Sequence, residues 1–158
     1  MSPRSGRSRA VSGVALARVM LWCGPGGRRA HLTVVVGLGV DLVDIARVER
    51  ALARWGGRLV ERLMDPDEAG RLPGRGPERT LALALAVAGK EAASKALGTG
   101  WSGGVRWRDV LVEAGPAPTV SLRGRAAEVA RALGSSGRTL TRLERRGALV
   151  IGEVWLLA

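Results

Sequence analysis

Glu78-Arg79-Thr80-Leu81-Ala82-Leu83-Ala84-Leu85-Ala86-Val87-Ala88-Gly89-Lys90-Glu91-Ala92-Ala93-Ser94-Lys95-Ala96-Leu97 runs for twenty residues and halts at Gly98-Thr99-Gly100. Ala and Leu dominate it, both strong helix formers, and glycine just past such a run is the common stop. So many small apolar side chains predict a buried helix packed closely against its neighbours. The segment also holds both lysines of the chain, Lys90 and Lys95; every other fixed positive side chain is arginine. Lys is a compact point charge where Arg is a planar fork. On a helix Glu91, Ser94 and Lys95 stand at i, i+3 and i+4 and share a face. Together they make a half-site for a metal and a phosphate. Alternatively Glu91 and Lys95 are an ordinary surface pair, contributing about 0.2–0.5 kcal/mol. Lys90 is rotated about 100° from that face.

Upstream, Thr33-Val34-Val35-Val36-Gly37-Leu38-Gly39-Val40 is a β-branched run and predicts a buried strand, with Asp41 at its end. Asp44 is placed to cap a helix over Ile45–Trp55. There Val48, Leu52 and Trp55 form an apolar stripe, and Arg47, Arg50 and Arg54 a basic one. Gly56-Gly57 closes the helix. Short helical turns follow, broken at Pro66 and capped by Asp65, then a Pro/Gly loop over 72–77. Strands are predicted over Val105–Glu113 and Thr119–Leu122, a helix over Arg125–Leu133, and strands over Thr139–Thr141 and Ala148–Leu156. Strands and helices mixed without regular alternation indicate an α+β fold: a small antiparallel or mixed sheet packed on the long central helix, in one domain over 33–158.

Composition narrows the function classes. With 158 residues the chain holds one domain with a real core. It has neither Phe nor Tyr, so Leu, Val, Ala, Ile and five Trp fill the interior. Cys23 is alone, which excludes an internal disulfide and fits a reducing compartment. His31 is the sole histidine, which argues against His-rich metal sites and Ser-His-Asp chemistry. Net charge is +11. Residues 1–32 contribute six arginines and no acid, and they are expected to be a basic, disordered extension. No run reaches the roughly 20 apolar residues of a membrane span. A basic balance suggests nucleic acid, but no aromatic stacking platform or zinc-finger pattern accompanies it. An acidic protein partner or a polyphosphate ligand suits the charge equally.

Gly39-Val40-Asp41-Leu42-Val43-Asp44-Ile45-Ala46-Arg47, then Glu61-Arg62 and Glu68, then Lys90 through Gly100, then Gly115-Pro116-Ala117-Pro118 before Leu122-Arg123-Gly124, resembles the holo-acyl-carrier-protein synthase group of phosphopantetheinyl transferases. The likeness runs from about Val36 to the C-terminus, and its specific part is the Lys-Glu-Ala-x-x-Lys-Ala-x-Gly-Thr-Gly string. It implies a Mg²⁺-dependent transfer of phosphopantetheine from coenzyme A to a serine of an acyl carrier protein, with adenosine bisphosphate leaving. By the same likeness Asp41 and Glu91 are metal ligands and Lys95 holds a diphosphate oxygen. Lys90, Ser94, Gly98, Thr99 and Gly100 join Lys95 in binding the coenzyme. Arg47, with Arg50 and Arg54, meets the acidic helix of the carrier protein. The serine proton passes to a metal-polarised water or to Glu91. The likeness further implies a cytoplasmic homotrimer, with no membrane or nucleic-acid partner. Two positions depart from the pattern: Ala86 stands where an arginine is common, and Arg142 where a histidine is common. Two rivals remain: a degenerate homologue that binds coenzyme A or carrier protein without turnover, and a basic RNA-binding protein.

Overall fold

A computed structural model describes residues 17–19 and 33–158 of the chain. The elements, in order, are β1 (Ala17–Val19), β2 (Thr33–Asp44), α1 (Ile45–Trp55), α2 (Gly57–Leu63), α3 (Pro66–Gly70), α4 (Pro77–Ala96), a 3-10 turn (Trp107–Asp109), β3 (Val110–Glu113), β4 (Thr119–Leu122), α5 (Gly124–Ala132), β5 (Thr139–Arg146) and β6 (Leu149–Leu157). One sheet has the order β1-β2-β6-β5, the other is the β3-β4 hairpin, and every pairing is antiparallel. The α+β expectation holds, with the long helix α4 packed on the larger sheet.

Three glycines explain how closely helix and sheet approach. A Cβ on Gly39 would stand 1.9 Å from the Ala92 carbonyl oxygen, one on Gly37 2.3 Å from that of Ala96, and one on Gly152 2.5 Å from that of Ala88. No side chain fits at such distances, so only glycine lets the strands meet the helix backbone. On the helix side Ala88, Ala92 and Ala96 recur every four residues, one above another, and all are buried. Small residues on both elements therefore set the interlayer distance. Leu83, Leu97, Val110, Val150, Val154 and Leu156 fill the core around this seam.

The opposite sheet face is exposed, apolar along β2 and charged along β5, where Arg142, Glu144, Arg146 and Glu153 form ion pairs. Leu38, Val40 and Leu42 of β2 are 54%, 45% and 60% exposed, and Leu140 and Leu149 are open as well. Register aligns Leu38 and Leu140 on either side of Trp155. Alternation along β2 thus directs glycines inward and large apolar side chains outward, the reverse of a lone solvated sheet.

Helix α1 has the predicted bounds. Asp44 Oδ1 accepts from the Ala46 amide at 2.7 Å and the Arg47 amide at 3.2 Å, and Gly56, with φ +52, ends the helix. Val48 is buried, whereas Trp55 is exposed with the Arg54 guanidinium 4.8 Å above its ring. The strand expected over 105–113 is shorter, because Asp109 accepts from the Arg106 amide at 3.0 Å and closes a turn first. β5 is longer than expected: Arg142-Leu143-Glu144-Arg145-Arg146 continue it, each paired with a residue of β6. Of residues 1–32, Ala17–Val19 pair with Thr33–Val35 as an edge strand. The rest of the expected disordered extension lies outside the described residues. Among the described residues no helix is long and apolar enough to cross a membrane.

Candidate active site

Asp41 does not end its strand. β2 continues to Asp44, because Asp41 pairs in register with Gly152 and the ladder runs on past it. Two residues beyond Gly39, Asp41 keeps the same inward face, beside the helix that Gly39 lets in. There Lys95 Nζ donates to Asp41 Oδ1 at 2.8 Å and to the Val40 carbonyl at 3.0 Å. The Lys95 side chain is half exposed and that of Asp41 largely covered.

Glu91, one turn before Lys95, lies with Asp41 on the wall of one cleft of about 550 Å³, together with Asp44, Arg47, Val87 and Trp107. Its Oε2 accepts from the Trp101 indole nitrogen at 3.0 Å. Among the described residues, no donor reaches Glu91 Oε1 or Asp41 Oδ2. Two carboxylates with free oxygens fit Mg²⁺, which commonly takes one or two carboxylates and completes its shell with waters and substrate phosphates. No cluster of three metal-ligating His, Cys, Asp or Glu side chains occurs among the described residues.

Two residues expected to bind the coenzyme are turned elsewhere. Lys90 is fully buried. Its Nζ donates to Glu68 Oε2 at 2.8 Å, to the Trp107 carbonyl at 3.1 Å and to the Val110 carbonyl. All three N–H groups are satisfied and none remains for a phosphate. Burial pulls its pKa below the ordinary lysine value, with Glu68 opposing. Ser94 is also buried, and its hydroxyl donates to the Glu91 carbonyl at 2.9 Å. Lys90 belongs to a staple instead: Glu68 Oε1 accepts from the Val112 amide at 3.0 Å, so α3, α4 and β3 are tied at one point.

Gly98 and Gly100 have φ of +71 and +57, left-handed values that glycine adopts freely. They reverse the chain after α4, with the Gly100 amide donating to the Ser94 carbonyl at 3.2 Å. This reversal returns Trp101 to Glu91. Sequence reasoning missed Trp101 and Trp107 and quoted Glu68 without giving it a role; the Trp that follows the glycine turn was the available signal. Arg47, Arg50 and Arg54 are all exposed, and only Arg47 lines the cleft. Ala86 is buried in the core. Arg142 pairs with Glu144 at 2.7 Å and Glu153 at 3.8 Å. Trp107 also borders a larger cleft of about 870 Å³ beside Arg108 and Arg123. There Arg123 is engaged by Asp65 and Arg108 by the Glu61 carbonyl.

The model of the 4'-phosphopantetheinyl transferase superfamily matches residues 37–143. The holo-acyl-carrier-protein synthase of Alkalilimnicola ehrlichii is 46% identical over 111 residues, covering 68% of this chain and 86% of that protein. The crystal structure of the Neisseria meningitidis holo-acyl-carrier-protein synthase superposes with a TM-score of 0.66 at 27% identity, covering 77% of this chain and 98% of that one. The Chronobacterium ammoniagenes ACPS–CoA complex superposes with a TM-score of 0.61 at 25% identity, covering 76% of this chain and 95% of that one. Asp41 and Glu91 both fall within the matched span.

Proposed function

The chain belongs to the 4'-phosphopantetheinyl transferase superfamily, and from that premise we propose that it moves the phosphopantetheine arm of coenzyme A onto a serine hydroxyl of an apo acyl carrier protein. Adenosine 3',5'-bisphosphate leaves. The observation that carries this reading is the meeting of Asp41 and Glu91, from a strand and a helix 50 residues apart, on the wall of one cleft, with Lys95 paired to Asp41.

Phosphoryl transfer asks a protein chiefly to position its reactants and to neutralise charge on the transferring group and the leaving oxygen. Asp41 and Glu91 hold Mg²⁺ in this proposal, and the ion when bound supplies that neutralisation at the diphosphate. Lys95, half exposed and tethered at Asp41, reaches a diphosphate oxygen and offsets charge on the departing bisphosphate. Gly98, Thr99 and Gly100 line the approach of the coenzyme with backbone. The serine proton goes to Glu91 or to a water beside it. Arg47, on the cleft wall, meets an acidic carrier helix, with Arg50 and Arg54 adding long-range attraction that raises association rate.

The reading extends to assembly. Leu38, Val40, Leu42, Leu140 and Leu149 leave apolar surface open on a sheet face that also carries Arg142, Glu144, Arg146 and Glu153, and exposed apolar surface rimmed by polar groups marks an interaction site. The proposed occupant is a second and third copy of the chain, making a homotrimer. A cytoplasmic location accompanies the two substrates.

Incubation with coenzyme A, Mg²⁺ and apo carrier protein tests the reaction. The carrier is expected to gain the mass of phosphopantetheine, and chelation or Glu91→Gln to prevent it. No gain with either fatty-acid or polyketide carriers would leave a homologue that binds without turnover.

A further inference from the structure

We propose that Trp101 is a positioning residue for Glu91, fixing through its indole N–H which carboxylate oxygen faces the cleft. The inference rests on the metal-site reading above and adds a residue to it.

A glutamate on a helix has three side-chain torsions, and a carboxylate facing an open cleft samples several of their rotamers. Here Oε2 is engaged by the Trp101 indole at 3.0 Å, which leaves Oε1 as the oxygen without a donor among the described residues. An indole N–H donates and never accepts, so this contact tolerates only the ionised carboxylate or the bare oxygen of an acid. It therefore selects one orientation for a ligand oxygen. Carboxylates that bind metals are held by partners of this kind, and losing the partner weakens metal binding by about 10–100-fold.

The donor is itself held. Trp101 stacks on Trp107 with centroids 4.1 Å apart and planes within 15°. The Trp107 carbonyl accepts from buried Lys90 at 3.1 Å, and Lys90 is anchored by Glu68 at 2.8 Å. One continuous path thus links the buried ion pair, the 3-10 turn, the stacked rings and the free oxygen of Glu91. Lys90 contributes to the site without reaching it. The left-handed glycines 98 and 100 supply the chain reversal that seats the indole.

The test uses the full chain with Mn²⁺ alone, its free concentration read by electron paramagnetic resonance, and then Mg²⁺ by NMR. Trp101→Phe keeps an aromatic ring on Trp107 while removing the N–H together with part of the indole's stacking surface. It is expected to raise the Mn²⁺ dissociation constant about tenfold with the melting temperature nearly unchanged. In the wild type, the Trp101 indole proton is expected to shift as Mg²⁺ is titrated. That measurement stands even where the variant folds poorly. Wild-type Mn²⁺ affinity in Trp101→Phe, or an indole proton indifferent to Mg²⁺, overturns the inference while Asp41→Asn and Glu91→Gln still lose the ion. Wild-type affinity in those two variants as well overturns the metal-site reading itself.

Discussion

The two lysines of the chain each meet a carboxylate at 2.8 Å, Lys90 with Glu68 and Lys95 with Asp41, from positions five residues apart on one helix. Geometry does not separate them; surroundings do. The side chains of Lys90 and Glu68 are 0% and 2% exposed, those of Lys95 and Asp41 51% and 18%. In the first pair every donor of the ammonium has a protein acceptor, so the pair can only hold elements together. In the second the ammonium reaches solvent, so it can exchange its partner for a ligand oxygen. An ion pair is structural or functional according to what else its atoms can touch.

Breaking the closed pair should have the largest effect. Lys90→Ala leaves Glu68 buried without its countercharge and is expected to cost about 3–5 kcal/mol of stability, read from urea unfolding. The double change Lys90→Met with Glu68→Leu should recover much of that loss, since apolar replacements of a buried pair are often tolerated. Lys95→Ala is the opposite case. Stability should move by no more than about 1 kcal/mol, as for exposed pairs. The rate of transfer to the apo carrier should fall by about 100-fold, the scale of removing one charge-stabilising donor. A large stability loss in Lys95→Ala would erase the distinction between the pairs.

Gly39→Ala sharpens the comparison through the packing. Its Cβ meets the Ala92 carbonyl oxygen, so strand and helix must part beside the open pair. About 1–3 kcal/mol of stability is expected to go, with transfer reduced although no functional group is touched. The smallest effect concerns pH. Burial holds the Lys90 pKa below its ordinary value, so between that lowered value and the free-lysine value the unfolded chain binds more protons than the folded one. Stability then rises with pH over that window. Chemical denaturation at several pH values above neutrality should show the slope in the wild type and its absence in Lys90→Met.

Much of the fold was legible. Asp44 announced a helix start, Gly56 its end, and the Ala-rich run its own burial, because caps and helix formers act over a few residues. The strand ends were misjudged where a charge looked like a boundary: β2 runs through Asp41, and β5 through Arg142-Leu143-Glu144-Arg145-Arg146. Pairing with β6 decided both, and pairing is not local. At the site, helical spacing placed Glu91 and Lys95 correctly on one face. The same spacing put Lys90 on another face but said nothing of what covers it. Nor did it bring Trp101 back to Glu91, a contact ten residues apart that depends on two left-handed glycines.

The glycine seam at 37, 39 and 152 carries one more implication. Where sheet and helix touch backbone to backbone, the gap has no slack to be taken up by rotating a side chain. The spacing between the strand acid and the helix acid is therefore machined into positions that perform no chemistry, and a single methyl there acts as a shim. Gly39 and Gly152 stand beside Asp41, one two residues before it and the other across the ladder, so the seam sets where that carboxylate sits without touching a ligand.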